Sequence, residues 1–104
     1  MPVTTLDGRV VHVDAEGFLT DPGEWDDALA EVLATRIGLA LTEEHRAVLR
    51  YLREDFAVKG ETPTLRRASL GTGVPVKTLF ALFPQKPAKK MAYVAGLPKP
   101  HGCV

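Results

Sequence analysis

Residues 42–60, TEEHRAVLRYLREDFAVKG, carry the longest helical pattern in the chain. Thr42 is a residue type that caps helix N-termini, and the acidic residues directly after it favour a first turn. Gly60 is a typical helix end. Five residues recur at helical spacing and predict one face of this helix in a core: His45, Val48, Leu49, Leu52 and Phe56. Because His45 lies on this apolar face, we interpret it as a packing residue.

The segment before this helix predicts a hairpin and one more helix. Apolar and polar residues flank Asp7-Gly8, a pair typical of the type I′ turn of a β-hairpin, and residues 14–19 predict a loop. Asp21-Pro22-Gly23-Glu24 predicts a helix start, with Asp21 as the cap and Glu24 completing a capping box. The helical spacing continues to Gly38.

The segment after Gly60 predicts three short helices. The first covers residues 64–70 and is broken by Gly71-Thr72-Gly73, and the second runs from Pro75 through Phe83. Pro87 opens the last helix, which ends near Ala95 with Gly96 as its C-cap. The pattern predicts a mainly α fold: a small orthogonal helical bundle with a helix-turn-helix-like portion, an N-terminal β-hairpin and a flexible C-terminal arm.

Length and composition indicate one globular domain over residues 1–104, with 97–104 as the arm. The chain has 104 residues, 45% hydrophobic and 25% charged, as is ordinary for globular proteins. No apolar run approaches the roughly 20 residues that span a bilayer, and the N-terminus lacks the pattern of a signal peptide. A single cysteine cannot form an internal disulfide, so we expect a cytoplasmic protein without membrane contact.

The net charge of zero hides an asymmetry between the two halves of the chain. Residues 1–56 carry 12 acids and 5 bases, whereas residues 57–104 carry 1 acid and 8 bases. One interpretation is two solvated faces of one domain. The other is a basic surface around the C-terminus that attracts an anionic partner or stabilises a thiolate.

The last eight residues, LPKPHGCV, contain the only cysteine of the chain, Cys103. Pro98 and Pro100 exclude a helix interior, because each lacks an N–H and has a fixed φ. We therefore expect an extended arm that reaches away from the body. A thiol on such an arm suggests sulfur chemistry delivered to a partner, although an incidental cysteine on a frayed end fits the same position.

Several neighbours of Cys103 have chemistry that bears on a thiol. Lys99 and His101 can lower the pKa of a thiol or move its proton, while the terminal carboxylate acts in the opposite direction. Gly102 lets the backbone approach another surface closely. The histidines and the cysteine have no metal-ligand spacing, so we predict no metal site, and no cofactor is implied.

A DNA-binding regulator is an alternative from another class. The helices over 64–70 and 75–83 resemble a helix-turn-helix, and basic residues surround them. However, Leu79, Phe80 and Leu82 leave few polar side chains on the second helix to read base edges. A phosphate-binding surface fits this pattern better than sequence readout.

The chain resembles the DsrC/TusE family over nearly its whole length. The most specific match is Gly96-Leu97-Pro98-Lys99-Pro100-His101-Gly102-Cys103-Val104. Further matches are Gly17-Phe18-Leu19, Asp21-Pro22 with Trp25, Leu41-Thr42 with His45, Pro63 with Arg66, Leu82-Phe83-Pro84 and Pro87-Ala88-Lys89. The family includes the gamma subunit associated with dissimilatory sulfite reductase and a sulfur-relay protein.

The resemblance implies a helical fold with an N-terminal hairpin, and a persulfide carried on Cys103. It implies a sulfur carrier that serves a downstream sulfurtransferase, with donor and acceptor proteins as partners and tRNA 2-thiouridine as the end product. The tRNA would be reached through the acceptor. Lys99, His101 and Gly102 would position or activate the sulfur, and Arg66 would add charge near the arm.

One departure from the family pattern bears on the pathway. DsrC proteins have a second arm cysteine eleven residues before the penultimate one, and Ala92 stands there in this chain. The resemblance is thus to a single-cysteine, TusE-like member, with a DsrC-like role in dissimilatory sulfur metabolism as the alternative. The sequence indicates a carrier rather than a self-contained enzyme and leaves open whether it is to be counted as a sulfurtransferase.

Overall fold

The computed structural model describes residues 3–6 and 8–100, so Cys103, His101 and Gly102 lie outside the described part. It confirms the mainly α fold with an N-terminal two-stranded hairpin. The elements in chain order are β1 (Val3–Leu6), β2 (Arg9–His12), a 3₁₀ turn (Pro22–Glu24), α1 (Asp27–Arg36), α2 (Glu43–Lys59), α3 (Leu65–Thr72), α4 (Val76–Leu82) and α5 (Pro87–Val94).

The hairpin has the register that the sequence predicts, with Leu6 opposite Arg9 and Val3 opposite His12. A single bridge between Val13 and Leu19 then closes the following loop. Alternate strand residues point inward, so the hairpin lays one apolar face on α1. The buried residues of this smaller core are Leu6, Val11, Val13, Leu19, Leu29 and Leu33.

The larger core lies between the five helices. The predicted stripe of α2 faces it, with Phe56 at its half-buried edge. Phe83 and Leu97 are almost fully buried, at 0% and 1% exposure. The core thus includes a residue of the predicted arm. No helix among the described residues is both long and apolar enough to cross a membrane.

The single helix predicted from Asp21 is wrong, because the chain forms a 3₁₀ turn and then a separate helix. Asp21 does cap the 3₁₀ turn, accepting a bond from the Gly23 N–H at 3.0 Å. Glu24, however, accepts the backbone N–H of His12 at 2.8 Å instead of capping a helix. Helix α1 begins only at Asp27, with Asp26 accepting from the Leu29 N–H. Because Glu24 bonds the hairpin, it does not form the capping box that its spacing predicts.

The break predicted at Gly71 is also wrong, since α3 continues to Thr72 and ends at Gly73. A Cβ at position 71 would overlap the ring of Tyr51 on α2. Gly71 therefore serves the close approach of α2 and α3, and Gly73, with φ of +77°, ends the helix. The predicted helix starts at Thr42, Pro75 and Pro87 are confirmed.

Candidate functional site at the base of the C-terminal tail

Two of the predicted site residues, Lys99 and Arg66, lie in the described part of the chain. Lys99 is exposed, and its Nζ lies 2.6 Å from Oε2 of Glu16. Arg66 is exposed on α3, and no hydrogen bond or ion pair among the described residues joins it to residues 97–100. The roles proposed for Cys103, His101 and Gly102 concern residues outside the described part.

Residues 94–100, which we call the tail base, are packed against the body. Leu97 is 1% exposed, and its N–H donates to Ala92 O at 3.0 Å. Thr62 Oγ1 donates to Pro98 O at 2.7 Å, and Pro100 is buried. The expectation of an arm that reaches away from Leu97 onward is therefore wrong for residues 97–100, although they form no helix.

Side chains from distant elements hold the start of the tail base. Trp25 Nε1 donates to Val94 O at 2.8 Å, and Arg53 Nη1 donates to Ala95 O at 2.8 Å. Gly96 follows with φ of +70° and lies directly against the Trp25 side chain. The carbonyls at the end of α5, which lack partners within the helix, are thus bonded by residues far away in sequence.

The pair between Lys99 and Glu16 ties the far end of the tail base to the loop after the hairpin. Asp14 Oδ1 accepts the N–H groups of Glu16 and Phe18, which orders that loop. The hydrogen bond from Lys99 lowers the pKa of the Glu16 carboxyl from its ordinary value of 4.5, and Lys89 adds a smaller effect. Both side chains are about half exposed, so the ion pair adds little to the stability of the fold. Its main effect is to hold Lys99 next to the loop that contains Glu16.

A groove of about 280 Å³ opens beside this ion pair. Its floor is apolar and its rim is charged, and its lining residues are Glu16, Phe18, Ile37, Lys89, Lys90 and Tyr93. A larger hollow of about 360 Å³ on one face of α1 contains none of the predicted site residues. Among residues 3–6 and 8–100 there is no group of three or more metal-ligating side chains.

His45 is a packing residue, as its place on the apolar stripe predicts. It is 6% exposed, and its ring meets Phe83 edge-on with centroids 5.0 Å apart. Its Nδ1 accepts the Thr42 N–H, so its Nε2 donates to Leu82 O at 2.7 Å. One imidazole thus caps α2 and bonds the end of α4, and both ring nitrogens are used.

The helix-turn-helix-like portion offers little for reading DNA. Helix α4 presents Val76 and Phe80, which are 39% and 48% exposed, with Lys77 between them. This largely apolar face offers few hydrogen-bonding side chains to read base edges. The geometry therefore gives no support to the regulator alternative.

Sequence reasoning missed three residues that hold the tail base: Arg53, Thr62 and Glu16. A signal existed for Arg53, which lies four residues after Leu49 and therefore beside the apolar stripe of α2. No comparable signal existed for Thr62 and Glu16, whose partners are 36 and 83 residues away. Trp25 was identified only by helical spacing and resemblance.

Comparison with known proteins gives one consistent result. A family model described as DsrC like protein matches residues 5–104. The protein named sulfurtransferase TusE from Pectobacterium atrosepticum is 37% identical over 106 residues, which cover 95% of this chain and 97% of that protein. The protein of the same name from Photorhabdus laumondii is 32% identical over 111 residues, covering both chains completely.

Solved structures agree with the sequence matches. The NMR structure of DsrC from Allochromatium vinosum superposes with a TM-score of 0.85 at 37% identity, covering 98% of this chain and 97% of that one. The crystal structure of the oxidised gamma subunit of dissimilatory sulfite reductase (DsrC) from Archaeoglobus fulgidus gives 0.79 at 40% identity, with 99% and 100% coverage. None of these names supports a DNA-binding regulator.

Proposed function

The chain belongs to the DsrC/TusE family, and on that premise we propose that it accepts persulfide sulfur on Cys103 and passes it to a downstream sulfurtransferase. The observation that carries the proposal is the chain's ending. Its only cysteine is the penultimate residue, within the part that the family model matches. We place the carrier in the cytoplasm, where thiols stay reduced.

The chemistry needs one thiol and no net redox change. The Cys103 thiolate attacks the outer sulfur of a donor R–S–SH, a new S–S bond forms on Cys103, and R–S⁻ leaves. An acceptor thiolate then attacks the same outer sulfur, takes it as a new persulfide and releases the Cys103 thiolate. Each step breaks one S–S bond and forms another, so the carrier requires no cofactor.

The tail base suits a carrier that must meet two protein partners in turn. Pro100 is buried, and three further residues can reach at most about 11 Å from it. The thiol is therefore kept close to one place on the body. A partner that docks near the tail base would find the sulfur within a small volume, which raises the rate of a bimolecular transfer.

Mass spectrometry of the intact protein tests the carrier function. The protein is incubated with a cysteine desulfurase and cysteine, and we expect a product heavier by one sulfur atom that thiol reductants remove. Cys103→Ser is the matched control and should gain nothing. No added sulfur on the wild type, or an equal gain on Cys103→Ser, would overturn the proposal.

We further propose that the sulfur serves tRNA 2-thiouridine synthesis. The support is the match to proteins named sulfurtransferase TusE and the residue at position 92, where Ala92 is buried and cannot close a disulfide with Cys103. Deleting the gene should remove 2-thiouridine from digested tRNA, and the wild-type gene but not Cys103→Ser should restore it. Unchanged tRNA together with a defect in sulfur oxidation or sulfite reduction would favour the DsrC-like alternative.

A further inference from the structure

Arg53 on α2 is the residue that joins the tail base to two other parts of the molecule. Its Nη1 donates to Ala95 O at 2.8 Å and its Nη2 donates to Pro22 O at 2.9 Å. Its guanidinium carbon lies 4.2 Å from the ring centroid of Trp25. One planar cation therefore bridges the 3₁₀ turn, the indole and the end of α5.

The surroundings of Arg53 are unusual for a charged side chain. Within the described part of the chain it forms no ion pair, and burial lowers its pKa below the ordinary value of an arginine. A partly desolvated cation without a carboxylate is costly, and here two carbonyls and an aromatic face offset that cost. The carbonyl of Ala95 belongs to the residue before Gly96, where the chain turns with φ of +70°.

We propose that Arg53 is a positioning residue for sulfur transfer: its guanidinium stacks on the Trp25 ring and bonds Ala95 O, which sets the direction in which the C-terminal tail leaves α5. This inference rests on the proposed function. It assigns no contact between Arg53 and the sulfur, since Arg53 acts through the backbone of the tail base.

A change at Gly96 affects the position of Cys103 through the residues that connect them. Six residues separate Gly96 from Cys103, and the first four of them belong to the tail base. A change at Gly96 therefore shifts residues 97–100, from which the chain continues to Cys103, and with them the position of the thiol. Because a misplacement of about 1 Å can slow a positioned reaction by up to about 100-fold, loss of this restraint should affect transfer between proteins strongly.

The substitution Arg53→Lys tests the geometry at constant charge. A lysine ammonium cannot bond two divergent carbonyls and stack on an indole as a planar guanidinium does. Arg50→Lys is the matched control, because Arg50 is exposed on the same helix one turn earlier. Trp25→Phe is a second variant, which removes the bond to Val94 O and keeps an aromatic ring next to Arg53.

The rate of sulfur loading is measured with two donors: cysteine desulfurase with cysteine, and inorganic polysulfide. For Arg53→Lys we expect kcat/KM with the desulfurase to fall roughly tenfold or more, with polysulfide loading unchanged. For Trp25→Phe we expect a smaller fall in kcat/KM with the desulfurase. Arg50→Lys should load sulfur at the wild-type rate with both donors. Desulfurase loading of folded Arg53→Lys within twofold of wild type would overturn the inference, as would equal slowing with both donors.

A nitroxide label on the unique Cys103 tests the restraint without sulfur chemistry. We expect the label to gain mobility in Arg53→Lys and not in Arg50→Lys. If wild-type protein accepts no sulfur from either donor, the proposed function fails, while the label still decides whether Arg53 restrains the tail. Identical spectra for the wild type and a folded Arg53→Lys would overturn the positioning role in either case.

Discussion

The tail base and the α3–α4 pair are both short and both lie in the basic half of the sequence, yet their connecting segments are held in different ways. The α3–α4 connection is fixed by neighbours in sequence, with Ser69 Oγ donating to Val74 O and Thr72 Oγ1 accepting the Val74 N–H. The tail base is fixed from afar, by residues 36 to 83 positions away. Local bonds thus order the turn between α3 and α4, whereas side chains from distant parts of the sequence order the tail base.

The difference suggests what each region is for. The turn between α3 and α4 is ordered by bonds within the turn itself, although both helices pack on the main core through Ala68 and Leu79. A segment held by four distant elements keeps a fixed place relative to all of them. That is what the proposed transfer of sulfur from Cys103 to successive partners requires.

Substitution of glycine by alanine should give the largest difference in stability loss between the two regions. A Cβ at Gly96 would lie 2.8 Å from Trp25 Cβ, with closer contact to the ring, and φ is +70°. We expect Gly96→Ala to lower the free energy of unfolding by about 2–4 kcal/mol, from left-handed strain together with overpacking. Chemical denaturation followed by circular dichroism measures this loss.

The matched control is Gly73→Ala at the end of α3. Its φ is +77°, but nothing lies within 4 Å of an added Cβ. The loss should therefore be only about 1–2 kcal/mol, from backbone strain alone. Equal losses at the two positions would contradict the close packing of Gly96 on Trp25.

Removal of a hydroxyl should have a moderate effect in the tail base. Thr62 is 7% exposed, and its Oγ1 bonds Pro98 O. We expect Thr62→Val to cost about 1–2 kcal/mol, because the proline carbonyl loses its partner in a buried place. Faster hydrogen exchange at Leu97 would accompany it. A loss below that of Ser69→Ala, which removes the local bond to Val74 O, would argue against a tail base held by Thr62.

Loss of a helix cap should affect only the α3–α4 region. Thr64 Oγ1 accepts the N–H of Arg67 at 3.1 Å. We expect Thr64→Ala to cost about 1 kcal/mol, as is typical of N-caps, and to leave exchange of the Leu97 amide unchanged relative to global unfolding. Thr64→Ser, which keeps the hydroxyl, is the control. Selective loosening of the tail base by Thr64→Ala would show that the two regions are coupled.

The smallest effect concerns the surface ion pair of the tail base. The pKa of Glu16 is lowered by Lys99, so the pair stabilises the fold above the ordinary value of 4.5 and this contribution is lost as pH falls through the lower folded pKa. An NMR titration of the Glu16 carboxyl should give a higher midpoint in Lys99→Gln, and no change in Lys86→Gln. An unaltered midpoint in Lys99→Gln would mean that the pair does not form.

The sequence predicts elements well where the signal is local. Thr42, Pro75 and Pro87 mark helix starts by their own chemistry, and the hairpin follows from Asp7-Gly8 and its flanking alternation. The apolar stripe of α2 placed His45 correctly. These positions need only their neighbours to be interpreted, which is why propensity and spacing suffice.

Prediction failed where a tertiary contact competes with a local pattern. Glu24 has the spacing of a capping box, but its carboxylate accepts the backbone N–H of His12 in the hairpin. Gly71 suggests a helix break, but it lies within α3. Its missing side chain leaves the space that the Tyr51 ring occupies. The tail base has no local pattern that indicates docking, and its carbonyls bond Trp25 and Arg53, which are 69 and 42 residues away in sequence.

Native-state hydrogen exchange tests whether the body of the protein fixes the place where the C-terminal tail begins. The Leu97 N–H bonds Ala92 O and the Gly73 N–H bonds Ser69 O, both at 3.0 Å. We predict that the Leu97 amide exchanges only with global unfolding, and that the Gly73 amide exchanges through a smaller local opening. Exchange of Leu97 at the rate of an exposed loop, under conditions where the α2 amides remain protected, would contradict the account.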